Sequence, residues 1–232
     1  MRVPEALAAL GWELPSNYLG LEPEQSAFGS ARVVVLPVPY EATVSYGGGT
    51  RGGPAAILQA SRYIELYDHE LGVEPASVGI ATLPALQLTG AGPGEAVAEL
   101  RAAYDRVLAA AEGKFVVVLG GEHSLSSAPI LAWADRLGGE RLSVLQLDAH
   151  TDLRPSYEGT EYSHASVMHR VHERVDIVAV GIRALTREER DLADRTGTIR
   201  IHYADDIHGP DTRWIDDVVA ELGEHVYLTF DV

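Results

Sequence analysis

The stretch Asp148-Ala149-His150-Thr151-Asp152 constrains this chain more than any other part of it. It follows Arg141-Leu142-Ser143-Val144-Leu145-Gln146-Leu147, an apolar run rich in β-forming residues that reads as a buried strand. If the strand geometry continues, residues i, i+2 and i+4 point to one side, successive members roughly 6–7 Å apart. A helix would splay the same three residues around its cylinder. An extended D-x-H-x-D therefore offers two carboxylates and an imidazole to one small volume, which suits a metal centre better than an acid/base pair. A lone D-x-H past a strand is as readily a solvated loop, so further elements have to decide.

Two such elements exist. Gly120-Gly121-Glu122-His123-Ser124 follows Lys114-Phe115-Val116-Val117-Val118-Leu119, another buried-strand run, and precedes a helix-like stretch over residues 125–137. The glycine pair allows a sharp turn and a close neighbour. At the end of the chain His225-Val226-Tyr227-Leu228-Thr229-Phe230-Asp231-Val232 reads as a strand with an aspartate at its carboxyl end. Ligands of open parallel sheets gather outside the carboxyl ends of the strands. Three strands thus deliver His123, then Asp148, His150 and Asp152, then Asp231, to one edge. Carboxylates outnumber imidazoles and thiolates are absent, so a harder, five- or six-coordinate cation is favoured over tetrahedral zinc.

In this order GGEHS, DAHTD and the terminal LTFDV resemble the three metal-binding signatures of the ureohydrolases, the arginase–agmatinase family. There the signatures read G-G-D/E-H-S, D-A-H-x-D and S/T-x-D-x-D-x-x-D-P, and the resemblance runs from about Val33 to the end. It implies an arginase-like, three-layer αβα fold with a mainly parallel sheet, and a centre of two manganese ions (Mn2+) per subunit in a complete chain. Carried over by motif, Asp148 and Asp231 bridge both ions, His123 and Asp152 complete one, and His150 belongs to the other. His164, within Tyr162-Ser163-His164-Ala165-Ser166, matches a histidine assigned to proton transfer. Glu122 stands where aspartate is commoner, and is not a ligand. The implied reaction is attack of hydroxide on a guanidinium carbon with loss of an amine. The family also implies trimers or hexamers.

The 232 residues suffice for one α/β domain, residues 31–232, behind an amino-terminal arm over residues 1–30. The alternation of strand and helix patterns predicts a parallel sheet covered on both faces. The formal net charge of −16 and the lack of a basic tract argue against nucleic acid and are compatible with a cationic substrate. With no cysteine there is no disulfide framework. No leader pattern or membrane-length apolar run is visible, which makes cytoplasm the expected location.

Gly47, Gly49 and Gly52 spell G-x-G-x-x-G, but eight residues separate them from the preceding strand, so a dinucleotide site is declined in favour of a turn entering a helix at Pro54. The similar G-T-R-x-G-P segment of the family lies near the active-site rim and resembles agmatinases more than arginases. The loop over residues 153–163 lacks the Ser/Asn-rich pattern by which arginases grip an α-amino acid; Glu158 and Glu161 offer carboxylates to a second cationic amine instead. The expected reaction is agmatine plus water to putrescine plus urea, a step of polyamine biosynthesis. Guanidinobutyrase or arginase chemistry is the near alternative, and a non-catalytic metal-binding or assembly subunit is the alternative from another class. His169 and His172 read as surface residues. The third signature breaks off at Val232, before its further aspartate, so the chain reads as cut short. A polypeptide of this length alone is expected to hold at most one ion well, with little activity.

Overall fold

A computed structural model describes residues 15–232; residues 1–14, and with them nearly half of the expected arm, lie outside the described residues. The remainder of the arm forms a 3-10 turn at Tyr18–Gly20 and a one-turn helix, α1 (Pro23–Ser26). Among the described residues, no helix is long and apolar enough to cross a membrane.

The chain divides into two compact units. The first comprises residues 15–39, 52–86 and 111–119 of those described. Its β-branched runs form three parallel strands, β1 (Val33–Pro37), β2 (Ile80–Thr82) and β3 (Phe115–Leu119), in the order β2-β1-β3. Leu21, Val35, Ala76 and Ile80 pack together as its core. Helix α2 (Gly53–Ser61) belongs to this unit and opens with Pro54 in its first turn, where a missing N–H costs nothing.

The second unit comprises residues 40–51, 87–110 and 120–232. Its four strands, β4 (Leu142–Leu147), β5 (Val175–Ile182), β6 (Ile199–Tyr203) and β7 (His225–Phe230), are all parallel, in the order β6-β5-β4-β7. Helices α3 (Pro93–Ala110) and α4 (Ser127–Arg136) precede β4; α5 (Arg187–Thr196) lies between β5 and β6, and a one-turn α6 (Ala204–Ile207) and α7 (Arg213–Glu221) between β6 and β7. The strands alternate inward-facing residues between two cores. Leu142 and Val144 of β4, with Val175, Ile177 and Ala179 of β5, pack with Ile130 of α4 and Ala193 of α5. Val178 and Val180, with Leu145 and Leu147 beside them, pack with Val218 and Trp214 of α7. Near-continuous apolar strands are the expected signature of a sheet with helices on both faces. The predicted αβα layering is therefore present in this unit.

Register decides what leaves the sheet together. In the β4–β7 pair Leu147 is aligned with Phe230, so the next residues, Asp148 and Asp231, emerge side by side at one edge. The Asp231 amide donates to the Leu147 carbonyl at 3.0 Å and fixes that relation. A bulge in β5 between Val180 and Ile182 accommodates Gly181 at φ +91°, close to the Asp148 carbonyl oxygen. The Asp148 amide donates to the Val180 carbonyl at 3.0 Å.

Candidate metal centre

The strand alternation expected through residues 148–152 does not persist. β4 ends at Leu147, and the backbone then bends, with the His150 amide donating to Asp148 Oδ1 at 2.8 Å. Gln146, fully buried, donates its side-chain amide both to Asp148 Oδ2 at 2.9 Å and to the His150 carbonyl at 3.0 Å. Asp152 adopts φ +51°, a left-handed conformation that a carboxylate-bearing residue tolerates better than most. Its carbonyl oxygen accepts the Met168 and His169 amides. This local turn, rather than a two-residue repeat, aims Asp148 and Asp152 the same way. The His150 side chain is 64% exposed, with Nδ1 3.6 Å from Asp148 Oδ1.

Four side chains converge: His123, Asp148, Asp152 and Asp231 each offer one ligand atom, all within 4.8 Å of one another. His123 opens the 3-10 turn at His123–Ser126 that runs into α4, and its side chain is almost fully buried. Its Nδ1 lies 2.7 Å from Asp152 Oδ2, 3.3 Å from Asp148 Oδ2 and 3.5 Å from Asp231 Oδ2. The other ring nitrogen, Nε2, is 3.0 Å from Thr229 Oγ1, on β7. A proton on Nε2 donated to Thr229 leaves the Nδ1 lone pair facing the carboxylates, the form in which imidazole ligates a metal.

The charges show what the group is built to hold. Burial works against a positive imidazole, yet hydrogen bonds to Asp148 and Asp152 and the charges of Asp152 and Asp231 push the His123 pKa up to about 10. Burial raises the Asp152 carboxyl; His123 opposes this, while Asp148 and Asp231 add to it. Asp148 is held below the usual carboxylate range: burial opposes ionisation, but His123, the His150 amide and Gln146 outweigh it. One Nδ1 can give one proton, and three carboxylates crowd it. A cation among them would answer all three, so the donor set of three carboxylates and an imidazole fits a hard or borderline divalent ion.

Glu122, next to His123 in sequence, has the opposite surroundings. It is buried, and Oε2 accepts the Ala42 and Thr43 amides, each at 2.6 Å. Oε1 accepts the hydroxyls of Thr43 at 2.7 Å and Ser124 at 2.6 Å. This carboxylate fastens the segment around Thr43 to the turn that carries His123. Gly121 permits it: a Cβ there would overlap the Tyr40 carbonyl oxygen, which accepts the Glu122 amide at 3.0 Å.

His164 stands outside the four-residue group. It begins a 3-10 turn at His164–Ser166 capped by the Ser163 hydroxyl, its Nδ1 3.2 Å from Thr43 Oγ1 and its Nε2 3.3 Å from Ser45 Oγ. Tyr157 meets its ring edge-on, with centroids 5.7 Å apart. Glu158 is exposed at the tip of the Tyr157–Thr160 turn, with φ +49°. Glu161 faces the Arg170 guanidinium at 3.5 Å, and that guanidinium lies 3.8 Å over the Tyr162 ring. His172, expected on the surface, is buried, with Nδ1 2.6 Å from the His169 carbonyl oxygen.

The glycine segment is held by an acid of its own. Glu41 Oε2 accepts the Gly49 amide at 2.7 Å, the Thr50 hydroxyl at 2.8 Å and the Arg51 amide at 3.1 Å. The amides a phosphate would need are engaged by this carboxylate, in keeping with the reading of a turn. Thr43, Ser45, Gln146 and Thr229 escaped sequence reasoning. Gln146 and Thr229 left one trace, a polar residue inside an otherwise apolar strand run beside a ligand-type residue. Thr43 and Ser45 left none.

Known proteins bear on this geometry. The family model described as "Arginase family" matches residues 31–232. The N(1)-aminopropylagmatine ureohydrolase of Synechocystis sp. is 38% identical over 223 residues, covering 94% of this chain and 72% of that protein. The agmatinase of Pyrococcus horikoshii is 33% identical over 213 residues, covering 87% of this chain and 68% of its own length. Among solved structures, the agmatine ureohydrolase of Thermoplasma volcanium superposes with a TM-score of 0.78 at 24% identity, over 99% of this chain and 74% of that one, a likeness of fold. A family match across most of the chain, relatives above 30% identity, and a shared fold agree: the chain belongs to the arginase family.

Proposed function

We propose that this chain is a manganese-dependent amidino hydrolase acting on a linear guanidine that carries a second amine, most simply agmatine, yielding putrescine and urea. The observation that carries the reading is His123 Nδ1 set within 3.5 Å of three carboxylates, more acceptors than one proton can serve. His123, Asp148, Asp152 and Asp231 would hold an ion, and their oxygen-rich set suits manganese. Asp148 turns Oδ2 to His123 and Oδ1 to His150, so Asp148 and His150 are the residues that would help hold a second ion. When bound, manganese supplies Lewis acidity that lowers the pKa of water and polarises the guanidine carbon.

The protein groups do the rest. Thr229 holds His123 by Nε2, so that Nδ1 faces the ion. Gln146 steadies Asp148 and excludes water behind it. His164 passes a proton to the departing amine, a task suited to an imidazole, which can both donate and accept one. Glu158 and Glu161 receive the distal ammonium; Glu161 already faces Arg170, so the assignment leans on Glu158.

A second substrate reading has an observation of its own. The relative named for N(1)-aminopropylagmatine is 38% identical, against 33% for the agmatinase. That compound keeps the guanidine and lengthens the amine arm, so the same centre serves it. Urea release from agmatine, N(1)-aminopropylagmatine, arginine and guanidinobutyrate, with added manganese, separates these possibilities. Urea from either of the first two, and a higher KM for it in Glu158→Lys, is expected. Preference for arginine would overturn the substrate assignment, and no urea from any of them would overturn the activity.

A further inference from the structure

Beyond the metal group, one chain of hydrogen bonds favours a single arrangement of protons. Thr43 Oγ1 lies within reach of three atoms: Glu122 Oε1 at 2.7 Å, the His164 backbone nitrogen at 3.0 Å and His164 Nδ1 at 3.2 Å. A threonine hydroxyl has one proton to give and two lone pairs. The His164 amide can only donate, so it takes one lone pair. Glu122 Oε1 accepts that proton, through the shortest of the three contacts. One lone pair remains, and it faces His164 Nδ1. A proton on that nitrogen satisfies it. Ser163 Oγ accepts the Ala165 amide and, at 3.4 Å from Nδ1, is the more distant of the two hydroxyls, so the Thr43 contact weighs more.

We infer that Glu122 and Thr43 are positioning residues that fix neutral His164 as the Nδ1–H tautomer, leaving Nε2, with the Ser45 hydroxyl against it, as the nitrogen that takes and gives the proton. The inference rests on the proposed role of His164 and adds the atom through which it acts. In the resting state Ser45 Oγ, 3.3 Å from Nε2, donates its proton to the lone pair there. When Nε2 gains a proton, the Ser45 hydroxyl turns and accepts from it, so the same contact serves both states without moving the backbone. Glu41 holds the loop that carries Ser45 by binding the Gly49 and Arg51 amides and the Thr50 hydroxyl. Glu122 is anchored independently of Thr43 Oγ1 by two amides and Ser124, so the carboxylate stays put when that hydroxyl is altered. A bland alternative, that Glu122 merely staples Thr43 to the strand end, accounts for the amide bonds but leaves the ring free to adopt either tautomer.

Nitrogen-15 NMR of histidine-labelled full chain distinguishes the two, because a protonated ring nitrogen and an unprotonated one resonate far apart. The chain is read after chelator treatment and after reloading with diamagnetic Mg2+, with His164 assigned by its loss in His164→Gln. Wild type and Thr43→Ser are expected to show Nδ1–H, and Thr43→Val to shift to Nε2–H or to a mixture. With manganese and the preferred guanidine, Thr43→Val should lose on the order of 10²-fold in kcat, the scale of one acid/base contribution, with KM changed little, and Thr43→Ser should restore it. Wild type with Nε2–H, or Thr43→Val retaining Nδ1–H, would overturn the tautomer assignment whatever the kinetics. An Nδ1–H wild type whose kcat survives His164→Gln would instead remove the proton-transfer role and the purpose of the lock.

Discussion

Two acidic sites one residue apart in sequence have opposite economies of protons. Around Glu122 the donors are complete: two amides and two hydroxyls serve its two oxygens. Around His123 the acceptors are in excess, with three carboxylates on one ring nitrogen. Glu122 is buried, as are Asp148 and Asp152 beside His123 while Asp231 is exposed, and both sites are made of residue types that a motif scan would treat as ligands. Glu189 is a further case of the first kind, accepting from the Thr151 hydroxyl and from the Leu153 and Thr186 amides, and so stapling the DAHTD segment to the start of α5. The difference teaches a rule of thumb: a buried acid with its donors filled holds the fold, and buried acids short of donors await a cation.

Neutralising one acid from each site breaks the comparison most directly. Asp152→Asn should lower urea release by at least about 100-fold, since partners behind a ligand alone are worth about 10–100-fold. In the chelator-treated protein, the same change should leave the melting temperature unaltered or raise it, because it relieves one of three crowded charges. Glu122→Gln should do the reverse, destabilising metal-free and metal-loaded protein alike by about 1–3 kcal/mol by turning an acceptor into a donor that faces donors. Parallel thermal melts and elemental analysis decide the matter; equal loss of metal in both variants would erase the distinction.

A smaller effect is expected from the glycine that lets the two sites sit so close. Gly121→Ala drives a methyl into the Tyr40 carbonyl and should cost about 1–3 kcal/mol, the usual range for overpacking. Gly120→Ala, whose Cβ would meet only Leu125 at 3.4 Å, should cost visibly less. Urea denaturation of the pair gives the difference.

The smallest effect sharpens the comparison through pH. With the His123 pKa pushed from 6.5 to about 10, its contact with the carboxylates stabilises the metal-free protein fully below 6.5, and that stability is lost as pH rises through 10. The raised Asp152 carboxyl acts with the same sign at lower pH. Metal-free protein should therefore melt earlier as pH climbs from 6.5 towards 10, and His123→Asn should flatten that slope. Loading with a divalent ion near neutral pH should release a proton from Nδ1, visible as a buffer-dependent heat of binding.

The fold was largely legible because its signals are local. The runs RLSVLQL and VDIVAVGI are β-forming and apolar, and α5 carries its own start signal in the Thr186–Glu189 capping box. Helix ends elsewhere moved by a residue or two; α4, for instance, gives its first turn to 3-10 geometry. The division of the seven strands among the described residues between a sheet of three and a sheet of four was not legible, since pairing is a choice among partners that all look alike in sequence. The geometry of DAHTD was misjudged for a related reason: nothing in five residues announces that the fifth turns left-handed. The turn is imposed by amides at residues 168 and 169, which bind its carbonyl.

By itself the sequence determined which residue types follow which strand ends, and hence that His123, Asp148, Asp152 and Asp231 could gather, because a few covalent bonds tie each to a β-forming run that pairs in a parallel sheet. Tertiary structure alone decided that His150 stands at the rim, that Thr229 backs His123, and that Thr43 joins Glu122 to His164 across separations of 79 and 121 residues. Such bonds have no local signature. A hydroxyl acquires its partners only when packing excludes water and leaves it within reach of groups that have no other donor or acceptor to turn to.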